Sequence, residues 1–231
     1  LALVYLVCRF LVYTGFDFPG GSMTDLVKSI SNSEEEIIQG ILKLHCKTPI
    51  ELDPTYSKGN FYKGAIAPPK YKFDINPQVE GVEKANAEDL PFNNDSIHTI
   101  MFDPPFLATT GPSLMSDANN NKINKRFGTY PTEKALHLFY VNALKEFYRI
   151  LKSDGVLIFK CQDKVSSGKQ YMSHVFIINE AEKLGFYCGD LFILEAKNRI
   201  IANWQRNQQH GRKFHSYFVV FKKNVRRIEY I

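Results

Sequence analysis

The sequence predicts an α/β fold: a mostly parallel twisted sheet with helices on both faces and a C-terminal antiparallel hairpin. Three observations predict it. Short apolar runs alternate with segments of helical periodicity, the pattern of a parallel sheet wrapped by helices. Several of the runs stop abruptly, at Pro54, at Asn76-Pro77 and at Pro104-Pro105. The last two runs have no helical segment between them, so they pair as antiparallel neighbours.

The elements follow in order. Ser33 followed by Glu34, Glu35 and Glu36 is a helix start, with the acids at the positive end of the helix dipole. Ile37, Ile38, Ile41, Leu42 and Leu44 then recur at helical spacing. Residues 49–53, 71–75 and 98–102 read as three short strands. A long helix is expected over 132–151, with Leu136, Phe139, Tyr140, Leu144, Phe147 and Leu151 spaced three and four apart. Ser153-Asp154-Gly155 is expected to end it, and Val156 to Phe159 follows as a buried strand. A further helix over 172–184 is closed by Gly185. Strands at 190–195 and 217–221 complete the set, separated by a polar, basic loop over 203–213.

A chain of 231 residues suits one domain that buries its own core. Residues 1–22 look foreign to it: 1–13 are apolar save Arg9, and Pro19-Gly20-Gly21-Ser22 precede Met23. They are expected to be a non-native or disordered leader, with residues 23–231 forming a single domain. The apolar run is short for a bilayer and lacks the opening of a signal peptide. Cys8, Cys46, Cys161 and Cys188 show neither zinc-ligand spacing nor a disulfide framework. Six histidines without ligand spacing suggest no metal. Free thiols fit a reducing cytoplasm. The net charge is +5, and from Lys197 onward nine Lys or Arg residues face one acid, Glu229. That run is a candidate footprint for phosphates or a solvated basic tail.

Asp103-Pro104-Pro105-Phe106 follows the strand at 98–102, and open α/β sheets bind ligands at strand C-termini. Each proline fixes its own φ, and Pro105 also restricts Pro104. The Asp103 carboxylate and the Pro104 carbonyl are then two rigid acceptors. A base amino group carries two N–H donors that match them. Such a nitrogen is a poor nucleophile, because its lone pair is delocalised into the ring. Two acceptors pulling on its hydrogens favour a pyramidal nitrogen with its lone pair free. Phe106 offers a flat face on which an extruded base stacks.

These residues resemble the amino-group DNA methyltransferases, whose signature is Asp, Asn or Ser followed by Pro-Pro and an aromatic residue. Leu90-Pro91-Phe92 with Asp95-Ser96 resembles that family's approach to the motif. Phe147-Tyr148-Arg149-Ile150-Leu151-Lys152 with Gly155 resembles its passage into the next strand. The resemblance covers residues 49–223 and is nearest to short phage or mobile-element enzymes without a large recognition domain. It implies the class I Rossmann-like methyltransferase fold, S-adenosyl-L-methionine as cofactor, and a nucleic-acid partner, DNA before RNA.

The resemblance also places a cofactor turn at Glu51 to Gly59, with Asp53, Thr55, Tyr56 and Gly59 as candidate contacts and Asp53 near the methionine amino group. The turn departs from the family's glycine-rich pattern, and the crossover over 60–70 is too short for a full helix. Asp74, ending the second strand, suits ribose hydroxyls. Asp89 and Leu90 would lie beside the adenine ring.

Lys160 and Gln162, with Asp163, end the strand beside the catalytic one and are candidates for lining the base or backbone pocket. Cys161 reads as a strand-end residue, because this chemistry needs no covalent intermediate. The polar stretch 107–131 contains Arg126 and Phe127, candidates for holding the flipped base. Arg212 and Lys213, with His210 and His215, are candidate phosphate contacts. The resulting expectation is methylation of an exocyclic base amino group, adenine N6 in DNA foremost, since the acidic first motif residue favours adenine over cytosine N4. The alternatives are an RNA base amino methyltransferase (guanine N2 or adenine N6), protein-glutamine methylation, and a non-catalytic nucleic-acid-binding subunit on the same fold.

Overall fold

The computed structural model describes residues 26–106, 108, 130–166, 168–197 and 209–223. The expectations for residues 1–22, for Met23, for Arg126 and Phe127, and for most of the 203–213 loop lie outside them.

Among the described residues ten strands are formed: β1 (Ile30–Ser31), β2 (Leu52–Asp53), β3 (Tyr71–Asp74), β4 (Glu83–Lys84), β5 (Ile97–Phe102), β6 (Leu151–Cys161), β7 (Lys164–Ser166), β8 (Lys169–Tyr171), β9 (Phe186–Glu195) and β10 (His215–Lys223). Among the described residues three α-helices accompany them, α1 (Glu34–His45), α2 (Glu133–Ile150) and α3 (Ser173–Lys183), with a 3-10 turn at Asn60–Tyr62. Eight strands make one sheet, ordered β1-β9-β10-β6-β5-β2-β3-β4, and β7 pairs with β8 as a separate hairpin. β3, β2, β5 and β6 run parallel to their neighbours in that order. β10 is antiparallel to both β6 and β9. This is the class I Rossmann-like arrangement, with the expected antiparallel pair at its C-terminal end.

The helices cover both faces. α1 starts at Ser33, whose hydroxyl accepts from the Glu36 amide, and buries Ile37, Ile38 and Ile41. These pack with Met101, Ile158, Phe218 and Val220 on one face of the sheet. α2 starts at Thr132, whose hydroxyl accepts from the Ala135 amide. Its Leu136, Phe139, Tyr140, Leu144 and Phe147 join Ile177 and Ala181 of α3 on the other face, over Ile100, Phe102 and Phe159. Phe102 is wedged among the rings of Phe147, Phe159 and Phe139, at centroid distances of 4.7, 4.9 and 6.0 Å. Burial of such a ring stabilises by about 1.5–3 kcal/mol. The residue immediately before the Asp103 motif is therefore fixed by the core.

Three expectations are corrected. Ser153-Asp154-Gly155 does not separate helix from strand: β6 begins at Leu151 directly after α2 and runs through them. Asp154 takes φ 62° there, and a Cβ on Gly155 would meet the Lys152 carbonyl oxygen at 2.8 Å. The turn signal in the sequence thus marks a kink inside a strand. Leu44, expected on the apolar face of its helix, is 52% exposed, because the face that meets the sheet ends at Ile41. The strands β1, β4, β7 and β8 were not anticipated, being two or three residues long and lacking a run of apolar residues.

The parallel strands β2, β3, β5 and β6 all end at one edge of the sheet. Asp53, Asp74, Asp103 and Gln162 therefore emerge together. β10 runs the other way, so His215 begins it at the same edge; two residues on, Tyr217 pairs with Cys161 of β6.

Candidate active site

Asp53 ends β2 almost fully buried, at 1% exposure. Its Oδ1 accepts from the Thr55 amide at 2.8 Å and from the Thr55 hydroxyl at 3.2 Å. Its Oδ2 accepts from the Tyr62 hydroxyl at 2.8 Å. Burial pushes the Asp53 carboxyl up to about 7, opposed by the Tyr62 and Thr55 donors and assisted by the charge of Asp103. The same surroundings push the Tyr62 hydroxyl well above its ordinary value, burial first and Asp53 next.

The turn after β2 is held by its own aromatic side chains. Tyr56 and Tyr62 stack at 5.3 Å with nearly parallel rings, 5° apart. Gly59 takes φ 61°, and a Cβ there would meet the Tyr56 ring at 2.5 Å. Glycine is required on both counts. Asp74, at the end of β3, accepts from the Ser57 amide and from the Asn76 amide, each at 2.8 Å. It closes the same turn from the neighbouring strand.

Asp103-Pro104-Pro105-Phe106 leaves β5 between these groups. The Asp103 amide donates to the Thr55 hydroxyl at 2.9 Å. The Tyr140 hydroxyl of α2 donates to the Pro105 carbonyl at 2.6 Å. Lys164 of β7 donates to the Phe106 carbonyl and pairs with Glu133 of α2 at 2.8 Å. Burial pulls the Lys164 ammonium below its ordinary value, with Glu133 opposing. The motif is thus tied to β2, α2 and β7, while among the described residues no donor reaches the Pro104 carbonyl. The Asp103 side chain is 24% exposed, enough to meet a ligand, in contrast to that of Asp53.

The remaining expected residues divide. Lys160 is buried, 2.6 Å from Glu34 Oε1 and 3.6 Å from Asp103 Oδ2. Gln162 donates to the His215 carbonyl at 2.9 Å and so joins the ends of β6 and β10. Asp163 accepts from the amide and ring of His174 at the start of α3. Cys161 is a core residue, its thiol pushed well above the ordinary value by burial, which agrees with a strand-end role. Leu90 is also a core residue, and its amide donates to Glu146 Oε1 at 2.8 Å, while Asp89 is exposed. Arg212 and Lys213 approach β10 half-buried, at the edge where the site lies. Among the described residues no group of His, Cys, Asp and Glu is arranged to hold a metal. Among the same residues no helix is long and apolar enough to cross a membrane.

No protein-family profile matches the chain, and no curated protein matches its sequence. Solved structures do align with it. A provisionally named DNA modification methylase of Thermus thermophilus, complexed with S-adenosyl-L-methionine, aligns at 18% identity over 64% of this chain and 56% of that one, with a TM-score of 0.43. The cytosine-N4-specific PvuII DNA methyltransferase aligns at 15% identity over 62% of this chain and 48% of that one, with a TM-score of 0.43. The 4+2 cyclase SpnF aligns at 10% identity over 83% of this chain and 82% of that one, with a TM-score of 0.49. The chain spans about half the length of the two methylases.

Five residues of the site carry no recognisable mark in the sequence. Glu34 reads there only as a helix-start acid, and Tyr62 falls in a segment without periodicity. Lys164 and Glu133 are two charges 31 positions apart that meet only in the fold. Tyr140 reads as one more apolar position of α2. A tyrosine on a buried face does call for a hydroxyl partner, which here is the motif itself.

Proposed function

We propose that the protein is an S-adenosylmethionine-dependent methyltransferase acting on the exocyclic amino group of a nucleic-acid base, with adenine N6 in DNA as its first target. The observation that carries this reading is the Asp103 turn. Its backbone is pinned at Asp103, Pro105 and Phe106, while the Asp103 carboxylate and the Pro104 carbonyl are the two acceptors a base amino group requires.

The chemistry of the neighbouring groups fits the cofactor. Asp53 is a buried carboxylate beside which no Lys or Arg is placed among the described residues, and burial has raised it accordingly. An ammonium group of a ligand would supply the missing cation. Asp53 is assigned to that group and Asp74 to hydroxyls, with Gly59 keeping the turn close. Asp89 is kept as a candidate for the adenine amino group. S-adenosylmethionine, when bound, supplies the methyl group on a positive sulfonium that departs as a neutral thioether.

The chain's own part is orientation. Asp103 and Pro104 accept the two N–H groups of the target nitrogen and turn its lone pair out of the ring plane. Phe106 stacks the extruded base. The nitrogen forms one bond to carbon and releases one hydrogen as a proton, which the Asp103 carboxylate accepts. Arg212 and Lys213 are assigned to phosphate contacts, as are Arg126 and Phe127 to the flipped base. The intact acid-Pro-Pro-aromatic sequence favours an enzyme over a non-catalytic binding subunit.

The test is incubation with labelled S-adenosylmethionine and either DNA or RNA, followed by mass analysis of the nucleosides. N6-methyladenine from DNA is the expected product. N4-methylcytosine, or a methylated base from RNA only, would reassign the substrate, and no transfer to either polymer would overturn the enzyme.

A further inference from the structure

Lys160 occupies an unusual place for a lysine. It is 8% exposed near the end of β6. Its ammonium sits 4.9 Å from the Phe61 ring and 5.5 Å from the Phe218 ring, with the Phe106 ring at 6.0 Å. Two carboxylates share it, Glu34 at 2.6 Å and Asp103 at 3.6 Å. A buried ammonium is costly unless paired. Here α1, the segment after β2, the Asp103 turn and β10 all supply part of its surroundings. Burial works against the ammonium, but Asp103 and Glu34 overcome it and leave the group above its ordinary value.

We propose that Lys160 is a positioning residue for Asp103: anchored by Glu34 and the rings, it keeps the Asp103 carboxylate ionised and orients it toward the substrate amino group without itself touching the substrate. This inference rests on the reading of Asp103 given above. The charged and titratable groups facing Asp103 are Lys160 from β6, Glu34 from α1, Asp53 from β2, Tyr62 from the turn after β2 and Tyr140 from α2. Among the described residues of this set Lys160 is the cation, and the carboxylates of Glu34 and Asp53 oppose a charge on Asp103. Lys160 thus offsets, at 3.6 Å from Asp103 Oδ2, the repulsion of two neighbouring carboxylates.

The arrangement also gives the acid at position 103 a physical reason. A neutral residue there would leave Lys160 with Glu34 alone. An acid makes the lysine a shared counter-ion, whose charge is felt at the atom that receives the substrate's proton.

The test needs no substrate at first. The carboxyl carbon of Asp103 is followed by NMR through a pH titration of the free protein. Lys160→Gln is expected to move the Asp103 midpoint up by about one unit, and Lys160→Arg to leave it near the wild-type value. Glu34→Gln, at a partly exposed helix start, leaves the Lys160 ammonium to Asp103 without its competing carboxylate and is expected to move the midpoint down, which keeps the proposal testable if Lys160→Gln fails to fold. An unchanged midpoint in the folded Lys160→Gln protein, or an unchanged one in Glu34→Gln, overturns the proposal.

The second readout is methyl transfer from labelled S-adenosylmethionine to unmethylated genomic DNA and to total RNA. In Lys160→Gln the acid limb of kcat is expected to move to higher pH with KM for the nucleic acid unchanged, and Lys160→Arg to restore it. An equal loss at every pH in both variants marks a merely structural lysine and overturns the proposal. A wild-type protein that binds the cofactor but transfers methyl to neither polymer overturns the functional reading instead, and the titration still decides the role of Lys160.

Discussion

The backbone N–H of Asp103 donates to the hydroxyl of Thr55 at 2.9 Å, and the same hydroxyl donates to the buried carboxylate of Asp53 at 3.2 Å. One side chain therefore joins the turn after β2 to the turn after β5. Thr55→Val keeps the shape and removes both bonds, leaving the Asp103 amide without its acceptor. A loss of about 1–3 kcal/mol in stability is expected, with kcat falling about tenfold, and Thr55→Ser should recover most of both. Urea denaturation with steady-state methyl transfer checks it; an unchanged kcat in Thr55→Val would show that the bridge does not position Asp103.

Asp103→Ala removes one of the two acceptors proposed for the amino group. Methyl transfer should fall by at least about a thousandfold, the scale of losing an essential electrostatic contact, while cofactor affinity changes little. Isothermal titration with S-adenosylmethionine beside a transfer assay separates the two effects. Retained transfer would sink the mechanism.

The raised Asp53 carboxyl has consequences for pH. Its folded value of about 7 lies above the ordinary carboxylate range, so between about pH 4 and 7 the folded protein holds a proton that the unfolded chain has lost. The free protein should therefore lose stability as pH rises through that window, and Asp53→Asn should flatten the slope. A ligand ammonium needs the ionised carboxylate, so cofactor affinity should weaken as pH falls below about 7. The ligand's own amino group deprotonates near about pH 8, which places the optimum between about 7 and 8. Calorimetry at about pH 5.5, about 7.5 and about 9 reads this directly; affinity independent of pH would remove Asp53 from the ammonium site.

Tyr140 donates to the Pro105 carbonyl at 2.6 Å from the buried face of α2. Tyr140→Phe keeps the packing and deletes one hydrogen bond. It should cost about 1 kcal/mol of stability and lower kcat more than it raises KM, since the bond fixes the motif and not the substrate. A change confined to KM would place Tyr140 at the substrate surface instead.

Much of this was legible in the chain. The Ser33 and Thr132 caps, the apolar stripes of α1 and α2, and Gly185 after α3 are local signals, and each element starts or stops within a residue or two of its expected place. The short strands β1 and β4 were not legible, because they form only where a neighbour offers its backbone. The same limit applied at Ser153-Asp154-Gly155, where a turn signal became a kink once β6 had β5 and β10 to pair with. Within the site, Asp53, Asp74 and Asp103 could be placed from their positions after strands. Lys160 could be placed but not understood: its pocket is made by Glu34, Phe61 and Phe218, from three distant parts of the chain.

The sequence by itself determined the architecture and the Asp103-Pro104-Pro105-Phe106 turn, because periodicity, caps and proline geometry act over a few residues. Only the tertiary structure decided what surrounds that turn. Which hydroxyl the Asp103 amide meets, which cation its carboxylate shares, and which carbonyls of the motif are already bonded depend on side chains brought together across β2, α1, α2, β6 and β7. Those contacts are set by the packing of the whole sheet, and no local pattern encodes them.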